Sequence, residues 1–221
     1  MDWQALVLSL ELASLTLVVL LPAGLWLGRW LAYSEFPGKA WIEALVVLPL
    51  VLPPTVLGYY LLVSLGAASP VGRWVAQNFD VQLSFNFAGL LIASVVFNIP
   101  FMVQPVQRAF MAIPRDLGEA AAVSGLGLWQ TFWRVELPLV WPGVLSAMVL
   151  TFVHTLGEFG VVLMMGGSIP GETRTIAIAI YDRVQAFDMV AADRMALLLL
   201  LLSLLAVAAS FFASARLAVR R

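Results

Sequence analysis

The residues whose types and spacing could do chemistry fall into two sets. The first is His154 and Glu158, four positions apart inside an apolar run, so that on a helix they stand one turn apart on one face. A His–Glu pair can move a proton, help hold a metal, or simply pair with itself. The chain has one histidine and no cysteine, so multi-histidine and thiolate metal sites are excluded and no metal is expected. A carboxylate inside a membrane is costly and often functional. That makes Glu158 a pathway or gate candidate, although pairing near a gate or subunit interface is favoured over a direct role in transport. No Ser/His or paired-Asp arrangement falls within the apolar runs, so the chain is not expected to be an enzyme. The second set is Glu119, Ala120, Ala121, Gly125, Leu137 and Pro138, within Arg115–Gly143, the most polar long interruption of the chain. Its chemistry is contact rather than catalysis.

The elements that must position these residues follow from composition. The 221 residues are 62% hydrophobic and 11% charged, against about 25% charged in a soluble domain. Runs of about 20 apolar residues recur, the length of helix that crosses a bilayer. They are continuous rather than alternating, which argues against a β-barrel. The expected fold is all-α, a polytopic membrane helical bundle forming a single domain over 1–221. Five spans are expected, near 6–31, 41–65, 85–103, 139–165 and 195–218; a sixth would require one run to split. The opening Met1-Asp2-Trp3-Gln4 lacks a basic n-region, so the first run reads as a retained span rather than a cleaved signal. A net charge of −1 carries no nucleic-acid footprint.

Span two contains Pro49, Pro53 and Pro54. Each proline removes a donor and clashes with the carbonyl four residues back, and at membrane depth the freed carbonyls need protein or water. It is either a kinked packing helix or a broken segment lining a pathway with Pro53, Pro54 and Thr55. A short helix is expected near 71–78, and a surface or re-entrant helix near 176–187. The amides of span three, Asn98 among them, read as helix–helix glue.

Basic residues set the orientation. Arg29, Lys39, Arg108, Arg115, Arg134, Arg216, Arg220 and Arg221 all fall on one side if the N-terminus is outside, and the other side is acidic in excess. The expectation is therefore N-terminus outside and C-terminus cytoplasmic, with the loop about 107–137 in the cytoplasm. Within it, Arg115 or Asp116 after Pro114 can start a helix, Ser124-Gly125 can end it, and Leu126–Val135 can form a second, halted by Leu137-Pro138. Two short helices hinged at a glycine make a knob, with alanines that permit close approach and Trp129, Phe132 and Trp133 as anchors.

Glu119-Ala120-Ala121, three residues, Gly125, nine residues, Val135, one residue, then Leu137-Pro138 resembles the EAA signature of ABC-importer permeases at every spaced position, with Val135 where that family most often has Ile. The resemblance implies cytoplasmic coupling helices that dock into a cleft on an ATPase. Phe36-Pro37-Gly38-Lys39, the stretch Leu48–Leu62, Leu156–Gly160 and Ile169–Thr175 extend it over most of the chain and look like the permease of molybdate ABC importers. Sulfate permeases share the first two of these. The implied assembly is a homodimer of this chain in the bacterial inner membrane, two ATPase subunits below and a periplasmic oxyanion-binding protein above. ATP-Mg would sit on the partner, and this chain would carry no cofactor. Glu172 and Arg174, in the outer loop, are candidates for contact with the binding protein; the alternative is a tight turn held by a local Glu172–Arg174 pair.

No Gly-x-x-x-x-Gly-Lys-Ser/Thr phosphate loop occurs, so the energy must come from a partner. The implied cargo is a tetrahedral dianion, molybdate first, with sulfate or tungstate as alternatives. Burying such an ion uncompensated is prohibitive, and no Arg or Lys lies mid-span to meet it. A wet, weakly contacting pathway is expected, with selection by the binding protein. A proton-coupled transporter or channel is the alternative from another class, in which Glu158 would matter more.

Overall fold

The computed structural model describes residues 1–219, and the side chains of these apart from 115 and 213–219. Arg115, Arg216, Arg220 and Arg221, used above for orientation, therefore lie outside the described side chains. Every regular element among the described residues is helical.

Helix α1 (Trp3–Tyr33) begins where the Asp2 carboxylate accepts the Ala5 N–H at 3.0 Å, satisfying one of the orphan donors of its first turn. It packs along α5 (Phe87–Met111). Thr16 meets Ser94, Gly24 meets Met102 and Gly28 meets Val106, so residue numbers rise together and the two helices run parallel. A Cβ at Gly24 would stand 2.3 Å from Met102 Cγ, which is why this approach needs glycine. Between helices already immersed in apolar surroundings, close packing of small residues and hydrogen bonds do the holding. Here the Thr16 hydroxyl donates to Ser94 Oγ at 3.0 Å.

Two parallel spans require a return crossing between them. It is made by α2 (Lys39–Val51) and α3 (Pro54–Leu65), bent by 108° at Leu52–Pro53. Of the two sequence readings, span two is thus broken rather than gently kinked. Pro53 and Pro54 have no N–H for the carbonyls of Pro49 and Leu50, and Pro54 restarts the chain at the first position of α3, where a missing donor costs nothing. The short helix expected near 71–78 is α4 (Pro70–Phe79).

Helix α6 (Arg115–Val123) follows α5, and then α7 (Leu128–Thr131), a π-turn (Phe132–Glu136) and α8 (Leu137–Gly157) run on as one apolar helix of 30 residues. Helix α8 returns antiparallel to α5, with Gly143 against Ala109 and His154 against Asn98. The chain continues as α9 (Gly160–Gly166), α10 (Ile176–Gln185) and α11 (Met189–Val219). Among the described residues four helices are long and apolar enough to cross a membrane, and the bent pair, taken as one span, brings the number to five. Helix α5 occupies the centre, where Met102, Val106 and Phe110 are buried with Leu20, Val140 and Val144; α11 turns Leu200, Leu204 and Leu205 outward.

Two expectations need correction. Span four does not continue to Met165: it stops at Gly157, and α9 is a separate helix after extended backbone at Glu158. Leu137-Pro138 does not halt the preceding helix. The Leu137 N–H reaches back five residues to the Phe132 carbonyl, and this wider turn carries the helix past the proline's missing donor.

Candidate functional site

The loop lies at the end of the bundle where α1 and α5 finish. Gly125 takes φ +76°. Its N–H donates to the Ala122 carbonyl, and Leu126 N–H donates to the Ala121 carbonyl. These are the two bonds of a Schellman turn, which needs a left-handed residue at that position. Ala121 is buried; Glu119 and Ala120 are exposed. Flanking the turn, Val123 (90% exposed), Leu128 (84%) and Trp129 (72%) leave bulky apolar side chains bare. A cleft of about 870 Å³ separates α6 from the bundle, lined by Glu119, Leu128, Tyr33 and Arg29 among others. Of the predicted loop residues, Glu119, Ala120, Ala121 and Gly125 therefore share one small unit. Leu137 and Pro138 belong instead to the base of α8.

The same end holds an ion pair that the sequence reading did not single out. Arg29 donates from Nε to Glu136 Oε2 and from Nη2 to Glu136 Oε1, the latter at 2.9 Å. Glu136 is 7% exposed, and the guanidinium stands over the rings of Tyr33 (5.3 Å) and Phe132 (5.9 Å). In the sequence Arg29 serves only as one of the basic residues that set the orientation. The available signal was an acid next to Leu137-Pro138 and a base closing span one at the same boundary.

Within the bundle the predicted pathway residues divide. Pro53, Pro54 and Thr55 are exposed on the protomer. Glu158 is 4% exposed. Its Oε1 accepts the Val161 N–H at 3.3 Å, capping α9, and its Oε2 lies 4.0 Å from His154 Nδ1. Asn98 donates to the Ser94 carbonyl at 2.8 Å, which turns Asn98 Oδ1 toward His154 Nδ1 at 3.0 Å. That arrangement requires the proton on His154 Nδ1. The imidazole stacks on Phe101 at 3.8 Å. Thr16, Ser94, Asn98, His154 and Glu158 thus form a polar ladder across α1, α5 and α8, of which the sequence indicated the His154–Glu158 pair and Asn98 as glue but not their connection. The two chain breaks meet: a Cβ at Gly160 would lie 2.8 Å from Pro54 Cβ. No group of three His, Cys, Asp or Glu that could hold a metal occurs among the described residues.

At the opposite end, Arg174 does not pair with Glu172. It faces Asp2 at 3.7 Å and Asp182 at 4.0 Å, while Glu172 is exposed. The turn is held instead by Thr173, whose hydroxyl donates to the Gly166 carbonyl at 2.6 Å. Helix α10 lies here with Ile176 and Ile178 buried, and the Ile176 N–H donates to Ser9 Oγ at 2.8 Å.

Residues 21–221 match the family described as binding-protein-dependent transport system inner membrane component. The molybdenum transport system permease protein ModB of Azotobacter vinelandii is 50% identical over 187 residues, covering 85% of this chain and 83% of that protein. ModB of Escherichia coli K12 is 40% identical over 184 residues, covering 83% and 80%. Among solved structures, a bacterial ABC transporter involved in import of the acidic polysaccharide alginate superposes with TM-score 0.79 over 96% of this chain and 78% of that one, at 18% identity.

Proposed function

The chain belongs to the family of binding-protein-dependent transport system inner membrane components, and from that premise we propose that it passes molybdate across the membrane by alternating access. It is a multi-pass, non-catalytic permease subunit, and ATP hydrolysis belongs to a separate subunit. The likeness to the two molybdenum permeases supports molybdate ahead of sulfate or tungstate. The working assembly in this reading is a homodimer with two ATPases at the loop end and a periplasmic binding protein opposite. The N-terminus is outside and the C-terminus cytoplasmic, which puts the basic residues Arg29, Lys39, Arg108 and Arg134 inside.

The observation that carries the coupling proposal is the loop itself. Bare Val123, Leu128 and Trp129 beside a left-handed glycine form an apolar anchor surface of the kind that pockets on partners receive. Helix α7 is continuous with α8, so displacement of a docked loop would reach Glu158 and Gly160 and the Pro53–Thr55 break beside them. ATP binding would bring the loops of two protomers together and open the pathway outward; hydrolysis would reset it. None of the described Arg or Lys side chains is buried, so the pathway offers a dianion no desolvated cation. Affinity would reside in the binding protein, and Glu172 at the outer end remains a candidate contact for it.

Reconstitution with the cognate ATPase and binding protein tests this, comparing labelled molybdate with sulfate uptake. Uptake should require ATP on the loop side and persist when the proton gradient is collapsed. Uptake driven by the gradient without ATP would establish the proton-coupled reading instead. Gly125→Leu and Glu119→Lys should sever uptake from ATP hydrolysis while leaving membrane insertion intact; unchanged uptake in both would end the docking proposal.

A further inference from the structure

The 30-residue helix from Leu128 to Gly157 is about 45 Å long at 1.5 Å per residue. It carries the bare docking face at one end and the break at Glu158 at the other. A rod transmits displacement only if it does not yield, and this one has a soft point. At the π-turn Phe132–Glu136 the backbone bond spans five residues rather than four, and Pro138 just beyond it has no N–H to give.

Arg29 grips the rod at that point. Glu136 is the last residue of the π-turn, and both of its carboxylate oxygens are taken by one guanidinium rooted in α1. The two-pronged geometry fixes orientation as well as distance, which a single ammonium contact does not. The Tyr33 and Phe132 rings confine the guanidinium further, and Phe132 is the first residue of the same π-turn.

We infer that Arg29 and Glu136 are positioning residues for energy coupling: their bidentate pair splints the π-turn to α1, so that displacement of the docking face at Leu128 and Trp129 reaches the break at Glu158 instead of being absorbed beside Pro138. This rests on the ATP-driven reading above. It makes the pair necessary for transport per ATP, and dispensable for docking and for hydrolysis.

The test uses the complete complex in vesicles, with Arg29→Gln, Glu136→Gln, Arg29→Lys and the exchange R29E/E136R. Radiolabelled molybdate uptake and ATP hydrolysis are read in the same vesicles, and ATPase co-purification is read beside them. The Gln variants should retain the ATPase and hydrolyse ATP, with uptake per ATP down about tenfold, the scale of a typical coupling between sites. Arg29→Lys should fall between, and the exchange should recover most of the loss. Gln variants with the parent's uptake per ATP would overturn the inference, as would loss of ATPase binding in step with uptake, or an exchange no better than the single changes. Gly125→Leu run alongside separates the two proposals. If it and Glu119→Lys both leave uptake untouched the docking reading fails, whereas if they uncouple and Arg29→Gln does not, only the splint fails.

Discussion

The bundle contains two breaks that touch at Pro54 and Gly160, and they are made in opposite ways. The first, at Leu52–Pro54, is made by prolines, lies exposed at Pro53 and Pro54, and restarts at Pro54 with no side-chain cap. The second, at Glu158–Phe159, contains no proline, is buried at Glu158 and half-buried at Phe159, and is capped by the Glu158 carboxylate on Val161 N–H. The first cannot satisfy its own backbone, so at membrane depth it must face water or more protein. The second has Val161 N–H capped inside the protomer, while Glu158 Oε2 is left buried without a hydrogen-bond partner. A proline break is fixed by covalent structure, whereas a capped break persists only while the cap holds. The α8–α9 junction is accordingly the one suited to change during a cycle.

The strongest way to break this comparison is to force the two apart. Gly160→Leu places a branched side chain where Pro54 Cβ stands 2.8 Å from the new Cβ, with Pro54 carbonyl carbon at 3.6 Å behind it. Overpacking of this kind costs about 1–3 kcal/mol, and uptake should be nearly abolished with a visible fall in folded yield. Parent-like uptake would mean that the breaks do not meet in the working protein.

Next in size is the cap. Glu158→Ala leaves Val161 N–H without its acceptor and should lower stability in detergent by about 1–3 kcal/mol. Glu158→Gln keeps a carbonyl oxygen in place and should retain more than half of what Ala loses, with uptake following stability. Equal, complete loss of uptake in both variants, without matching destabilisation, would assign the carboxylate a charge role in transport.

A smaller effect is expected from Pro53→Ala with Pro54→Ala, which returns donors to the Pro49 and Leu50 carbonyls. The chain has no cysteine, so two cysteines introduced at Lys39 and Leu65 would be its only spin-label sites. The label separation should lengthen as the 108° bend relaxes, and uptake should fall severalfold. An unchanged separation would show that packing of α3 on α9, rather than proline, holds the bend.

What could be read in the sequence follows the same division. Prolines announce the first break, and hydropathy announces five crossings, because both are local. Gly157-Glu158-Phe159-Gly160 announces nothing comparable: apolar residues flank it, and a glutamate three residues before an N–H reads as a cap only once α9 is seen to start there. Gly125 was legible because a left-handed turn leaves few alternatives to glycine. Leu137-Pro138 was misread as a stop because a proline in a first turn and a proline after a helix look alike until the π-turn before it is seen. Arg29 and Glu136 stand 107 residues apart, and only the packing of α1 beside the base of α8 makes them partners.

The smallest expected effect is also the sharpest probe of whether the second break needs glycine or only its cap. A Cβ at Gly157 would meet nothing within 4 Å, and Gly157 is not among the positive-φ positions. Alanine therefore fits, and as the last residue of α8 it should gain up to about 0.5–1 kcal/mol by restricting the unfolded chain. If the cap alone governs the junction, Gly157→Ala raises the detergent melting temperature slightly and leaves uptake per ATP unchanged. If the backbone at 157 must swing into a conformation open only to glycine, the same variant is more stable yet transports less. Stability and transport would then move in opposite directions at a site where this structure has room to spare.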